Sequence, residues 1–119
     1  MVQVRTNLYP YRLVLARKEP VQLTVDIRND LSETRGFSIE VNVPRSLGLE
    51  RAGAKIQDYK LLGDFSPGQE KRLYYDIFHK ATVDAQSYPI HVFVHEHEKG
   101  SREVIRTVSK IIDLTIQEK

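Results

Sequence analysis

The sequence predicts an all-β domain, a sandwich of antiparallel strands. Three observations carry that expectation: four segments alternate between apolar and polar residues, turn-forming residues separate them, and no long stretch has a helical period. At 119 residues the chain fits a single domain, residues 1–119. A chain of this size buries roughly two-thirds of the surface its unfolded form exposes, so one core is sufficient without metal or disulfide staples.

The first element is the least regular. Met1-Val2-Gln3-Val4-Arg5 already alternates like a strand and lacks the apolar core of a signal peptide. Leu13 and Leu15 then point one way, but Pro10 and Pro20 bracket them. Proline cannot donate to a ladder, so this stretch is expected to be a broken edge strand that switches sheets. Tyr9-Pro10-Tyr11 is expected to pack against the sandwich edge.

The next strands are clear. Val21, Leu23, Val25 and Ile27 alternate with Gln22, Thr24, Asp26 and Arg28. Phe37, Ile39, Val41 and Val43 alternate with Ser38, Glu40 and Asn42, after a polar loop at 29–36. Over 54–62 the residues Ile56, Tyr59 and Leu62 also fit a helical face, but Gly53 and Gly63 leave only a short segment, and a strand is preferred. Ser66-Pro67-Gly68-Gln69 suits a type II turn, with proline fixing φ at the second position and glycine taking positive φ at the third. Leu73, Tyr75 and Ile77 alternate with Arg72, Tyr74, Asp76 and Phe78. Tyr88, Ile90, Val92 and Val94 alternate with Pro89, His91, Phe93 and His95. One face is apolar and the other largely polar in each case, as in an antiparallel sheet with one wet side.

Glu98-Lys99-Gly100-Ser101 separates the last two strands at hairpin length. In the final strand, 102–117, Val104, Val108, Ile112, Leu114 and Ile116 share a face that Arg106 and Lys110 interrupt, while Ile105 and Ile111 fall opposite. A β-bulge would reconcile this, as would burial of both faces in part of the strand. The sum is about seven strands without an internal repeat, so the expected fold is an immunoglobulin-like antiparallel β-sandwich.

Composition narrows the chemistry. The absence of cysteine removes disulfides, thiol catalysis, cysteine-ligated zinc and iron–sulfur clusters. Eighteen basic against sixteen acidic residues give a formal charge of +2, with signs mixed along the chain, which is a solvated surface rather than a polyanion-binding stripe. No apolar run approaches the roughly 18 residues of a membrane span. Together with the cysteine-free composition, the start of the sequence favours the cytoplasm.

Four short motifs carry a family resemblance: Ile27-Arg28-Asn29, Val43-Pro44-Arg45-Ser46-Leu47, Phe65-Ser66-Pro67-Gly68 and Ser87-Tyr88-Pro89-Ile90. Across roughly residues 8–117 the chain resembles the immunoglobulin-like modules of prokaryotic surface and accessory proteins, the CARDB family in particular. That resemblance implies a binding or spacing role and brings no catalytic residues with it. The chain departs from the family in being short and without an export signal.

Candidate site residues cluster on the penultimate strand. Phe93 lies opposite in phase to Ile90, Val92 and Val94, so it points outwards, flanked by His91 and His95. An exposed aromatic at the centre of a sheet is a natural interface anchor. The strand carrying Ser38, Glu40 and Asn42 and the final strand are expected to flank it. The expected binding surface is therefore this three-stranded outer face, with Phe93, His91, His95, Glu40 and Asn42. The partner is an unidentified protein or a second copy of the chain. Tyr74 and Phe78, with Arg72 and Asp76, form a second outward pair on the opposite sheet.

His95 and His97 are spaced to share one metal ion, whereas His91 would lie roughly 13 Å from His95 at ~3.3 Å per residue, too far to be a third ligand. The plain reading of these histidines is a solvated strand face. Single-stranded nucleic acid is the other alternative, since aromatics interleaved with Arg and Lys stack bases and neutralise phosphates, though the small net charge argues against it. There is no phosphate-binding loop, dinucleotide fingerprint or Gly-x-Ser-x-Gly elbow. Glu96 and Glu98 read as solvating charge at a hairpin end. The expectation is a domain without catalytic activity or cofactor.

Overall fold

The apolar faces of the four alternating segments all point inwards in the computed structural model, which describes residues 2–10, 12–15, 19–80 and 83–118. Val21, Leu23, Val25 and Ile27 are fully buried, as are Phe37, Ile39 and Val41 and, within a percent, Ile90, Val92 and Val94. Leu73, Tyr75, Ile77 and Tyr88 complete the same core. Each such aliphatic contributes about 1.5–3 kcal/mol over its exposed state. Two sheets that bury these faces against each other are the outcome.

Among the described residues there are nine strands: β1 (Val2–Tyr9), β2 (Arg12–Val14), β3 (Val21–Asn29), β4 (Arg35–Asn42), β5 (Leu47–Gly48), β6 (Gln57–Phe65), β7 (Glu70–His79), β8 (Ser87–His97) and β9 (Val104–Gln117). They form a four-stranded sheet in the order β1-β3-β7-β5 and a five-stranded sheet in the order β2-β9-β8-β4-β6. The expected count of about seven is corrected upwards for two reasons. The N-terminal stretch splits at the cis Tyr9–Pro10 peptide into β1 and β2, and a two-residue segment after Pro44 pairs with the end of β7.

The split strand does switch sheets. β1 pairs antiparallel with β3, whereas β2 pairs parallel with β9 at Thr115, Ile116 and Gln117. Tyr9 departs from expectation: it is 77% exposed rather than packed on the edge. Tyr11 lies outside the described residues. β9 does carry a bulge, where the register shifts as Glu96 and His97 meet Arg106 and Val104, but it leaves Arg106 and Lys110 on the apolar side, opposite Glu96 and Val92. Both faces are not buried there, since Val104, Ile105 and Ile111 are exposed.

Local chemistry fixes the connections. Gln69 N–H donates to the Ser66 carbonyl at 3.0 Å, and Gly68 takes φ +81°, which a side chain would resist. Tyr88 braces the entry to β8: its hydroxyl donates to the Asp84 carbonyl at 2.9 Å and accepts from Asp84 N–H at 3.1 Å.

Like Asp58 Oδ2 and Glu96 Oε1, Tyr75 is an exception to this economy of polar groups. It is 6% exposed, and its hydroxyl has no hydrogen-bond partner among the described residues. Burial, and then the Asp58 carboxylate, push the phenol up to about 12. The Lys60 ammonium lies 5.1 Å from the ring centre and is indifferent to the hydroxyl's presence. Tyr75→Phe is therefore expected to raise stability by about 1 kcal/mol at neutral pH, because an unpaired buried hydroxyl is removed. A raised phenol contributes stability that is complete below the unfolded value and lost as pH rises through the folded one. The variant should thus lose less stability than wild type between about pH 10 and 12. Urea melts of both proteins across that range check the sign.

Candidate interaction face

Strand register decides what lies beside Phe93. β8 pairs with β4 on one side and β9 on the other, and β6 extends the sheet beyond β4. Residues directly opposite across a ladder share a face, so three rows cross the outer surface. Leu61, Ser38, His95 and Thr107 form one row, and Tyr59, Glu40, Phe93 and Ser109 form the next. Gln57, Asn42, His91 and Ile111 form the third. At ~4.8 Å between strands each row is roughly 14 Å across.

All five residues expected at the interface, Phe93, His91, His95, Glu40 and Asn42, fall within these rows. Phe93 is partly buried, and its ring stacks on His91 with centroids 6.1 Å apart and planes 15° apart. Asn42 donates through Nδ2 to Glu40 at 2.7 Å. His95 Nδ1 bonds Thr107 Oγ1 at 2.8 Å. These contacts hold the polar groups in place beside the aromatic pair.

β6 enlarges the face beyond the three strands expected. It adds Tyr59, 55% exposed, and Leu61, 50% exposed, while β9 adds Ile111 at 65%. None of the residues in the three rows is lysine or arginine, although the chain carries 18 of them. Glu40 is their single charge. Depletion of charge around exposed aromatics and aliphatics is the composition of an interface centre.

The other outer face has the opposite character. Arg5, Asp26 and Arg72 form a row across β1, β3 and β7, with Arg28 opposite Glu70 in the next. Arg72 grips Asp26 in a bidentate pair, Nε to Oδ1 at 2.6 Å and Nη2 to Oδ2 at 3.1 Å, which holds the Asp26 carboxyl below its ordinary range. Tyr74 is exposed among these charges, and the Arg51 guanidinium lies 5.3 Å from the ring centre of Phe78. Tyr74 and Phe78 thus form no continuous apolar patch.

His97 is not the solvated residue that the sequence suggested. It is buried, and both ring nitrogens are committed. Nδ1 donates to the Glu103 carbonyl at 3.2 Å, which leaves Nε2 to accept from the Ser38 hydroxyl at 2.8 Å. The Glu103 contact comes from the β8–β9 connection. With His95 turned to Thr107, the two imidazoles serve different partners, and the described residues contain no group of three or more potential metal ligands. The hydroxyl–imidazole spacing is that of a nucleophile and its base, but Ser38 is fully buried. The pair works as a brace between β4 and the hairpin.

Glu96 is a second correction. It is 3% exposed, facing inwards, with Arg35 Nε at 3.3 Å and Arg106 Nε at 3.5 Å. Arg35 in turn meets Glu33 at 2.7 Å and the exposed Glu98 at 3.9 Å. The acid that reads as hairpin solvation is the centre of an ion-pair cluster. No spacing in the sequence marks it, because its cations come from β4 and β9.

No protein-family profile matches the chain, and no curated protein sequence matches it. Among solved structures, a β-glucuronidase from glycoside hydrolase family 2 aligns with 91% of this chain and 11% of its own, at 14% identity and a TM-score of 0.45. The E. coli chaperone DraB aligns with 97% of this chain and 55% of its own, at 15% identity and a TM-score of 0.45. The chain thus spans about a tenth of the first and about half of the second. The likeness to both is one of β-rich architecture.

Proposed function

We propose that this chain is a non-catalytic protein-interaction or accessory module that docks through the outer face of its five-stranded sheet, with Phe93 at the centre. The observation that carries the reading is the cation-free surface on which Tyr59, Leu61 and Ile111 surround the His91–Phe93 stack. The finer fold assignment is immunoglobulin-like. It is supported by the strand order of the two sheets and by the Tyr88 hydroxyl bonded to backbone four residues upstream. The CARDB-type accessory modules are the family whose short motifs the chain resembles. The partner is another protein or a second copy. The face offers no cation to a phosphate backbone, which disfavours single-stranded nucleic acid there.

The test sets Phe93→Asp beside wild type, in affinity capture from the source organism's lysate and in sedimentation of the purified chain. A partner, or a dimer, held by wild type and lost by a variant with an unchanged melting temperature supports the reading. Equal association of the two proteins overturns it. Tyr59→Asp, at an exposed position, gives the same test should Phe93→Asp unfold.

A further inference from the structure

The second surface of interest is an edge. Among the described residues, β2 covers β9 only at Thr115, Ile116 and Gln117. Over residues 104–114, the described residues pair with β9 on one side alone, in β8. Alternate N–H and C=O groups of that stretch therefore face outwards from the sheet, a template for one more strand. Beside this edge lies β1, itself the outer strand of the other sheet. Between the two edges is a cleft of about 520 Å³.

The cleft has a definite chemistry. Val2, Val4 and Val108 supply apolar surface, and Arg5, Arg106 and Lys110 supply three cations. None of the described residues that line it carries a carboxylate. Arg106 reaches Glu96 at 3.5 Å, but Lys110 has no ion pair among the described residues. Lys110 opposes Val92 and Arg106 opposes Glu96 in register, so both point to the inner side of their strand.

We infer that this flank is a docking site for an extended acidic peptide, which adds to β9 as a further strand. Every second side chain would face inwards, acidic opposite Arg106 and Lys110 and apolar between them, opposite Val108 and toward Val2 and Val4. The others would lie beside Thr107, Ser109 and Ile111 and be polar. The same cations select against the commonest competitor. A second copy pairing β9 against β9 would bring two sets of Arg106 and Lys110 into one flank, and like charges at close quarters reject it. A strand whose inward side carries an apolar residue between two acids satisfies the open ladder, the apolar surface and the charges together. This inference is independent of the Phe93 face.

The test is a titration of the whole isotope-labelled chain with synthetic heptapeptides. The probe alternates threonine with the inward residues glutamate, valine and glutamate. The comparators put lysine in place of glutamate, or hold the same residues with the two glutamates in one block, so that only one of them can face inwards. An oligodeoxythymidine of similar length is the fourth arm. The alternating acidic peptide is expected to bind, to shift the amides of 104–114 most, and to slow their hydrogen exchange about tenfold or more at saturation. Its affinity should fall with added salt, and Lys110→Glu should weaken it about tenfold while favouring the lysine peptide. The amides of 38–42 and 57–61 should stay unmoved, which separates this site from the outer face. Equal binding of the blocked peptide, largest shifts at the Phe93 face, preference for the oligonucleotide, or no binding at millimolar peptide would each overturn the inference.

Discussion

Replacing Phe37 by alanine is expected to lower the free energy of unfolding by about 4 kcal/mol, the cost of a cavity the size of a benzyl group in a close-packed core. Phe37 is fully buried, and its ring meets that of Phe65, itself 1% exposed, edge to face at 4.9 Å and 62°. Such pairs add roughly 0.5–1.5 kcal/mol to the area they bury. The surroundings have little freedom to collapse into the gap, since β4 is bonded to a strand on both sides. For a domain of this size the loss amounts to about 15 °C in melting temperature. Urea melts read it directly, with an unchanged m-value as evidence that both states keep their extent. The double variant with Phe65→Ala should cost less than the sum of the singles, because each single removal already breaks the shared contact. A loss below about 1 kcal/mol would mean that the two rings do not share a core.

The faces of β3, β4, β7 and β8 were legible because alternation is local: a one-residue slip would have turned every apolar side chain to water. The same parity, joined to the strand pairing expected of an immunoglobulin-like topology, put Phe93, His91, His95, Glu40 and Asn42 on one surface. Tyr59 and Leu61 were not legible as neighbours of that surface. Their placement depends on β6 pairing beyond β4, with a register shift at Phe37 and Ser38 and Gly63 at φ +85°. Whether β6 joins the sheet is a long-range choice that local pattern does not encode. β5 escaped notice for the opposite reason, being too short to have a pattern.

Edge strands, by contrast, carry a signal that was visible and underused. Arg106 and Lys110 read as interruptions of an apolar face, and Asp58 and Lys60 fall in the segment that also fits a helical face. In register they oppose Glu96, Val92, Val41 and Ile39, all on the inner side. Inward charges are a device that keeps the edges of sheets from pairing indiscriminately. In the five-stranded sheet, β6 and β9 have them and are the long strands whose outer edges are wholly or largely open among the described residues; β4 and β8, paired on both sides, have only Glu96 and its partner Arg35, at the very end of the sandwich. Charges that break an otherwise apolar alternation therefore mark where a strand sits in its sheet. They also argue that the five-stranded sheet is built to refuse copies of itself at its edges while leaving its outer face open.

Asn29 is where a sequence motif and a structural cause meet most closely. The strand-end asparagine is fully buried, and every group it has is used. Its Nδ2 donates to the carbonyls of Glu33 and Phe65, both at 2.9 Å, and its Oδ1 accepts from Leu31 N–H at 3.0 Å. Its own backbone bonds Gln69 and Gly68 in the turn that precedes β7. One side chain thus ties the end of β3 to the loop before β4 and to the end of β6. Asn29→Asp keeps the shape and reverses the chemistry: two donors become acceptors, and an anion faces two carbonyl oxygens away from water. The expected loss is about 3 kcal/mol at neutral pH, from unpaired buried carbonyls and a buried charge. Burial and the two carbonyls favour the protonated carboxyl, which can donate, so the new group's folded value should lie above its unfolded one. A group raised in this way loses stability as pH rises through the folded value and regains it as pH falls. The variant should therefore recover part of the deficit between pH 7 and pH 4, measured against wild type by urea melts at both. A pH-independent deficit would mean that the side chain had swung away from Phe65 and Glu33, and that the brace tolerates its loss.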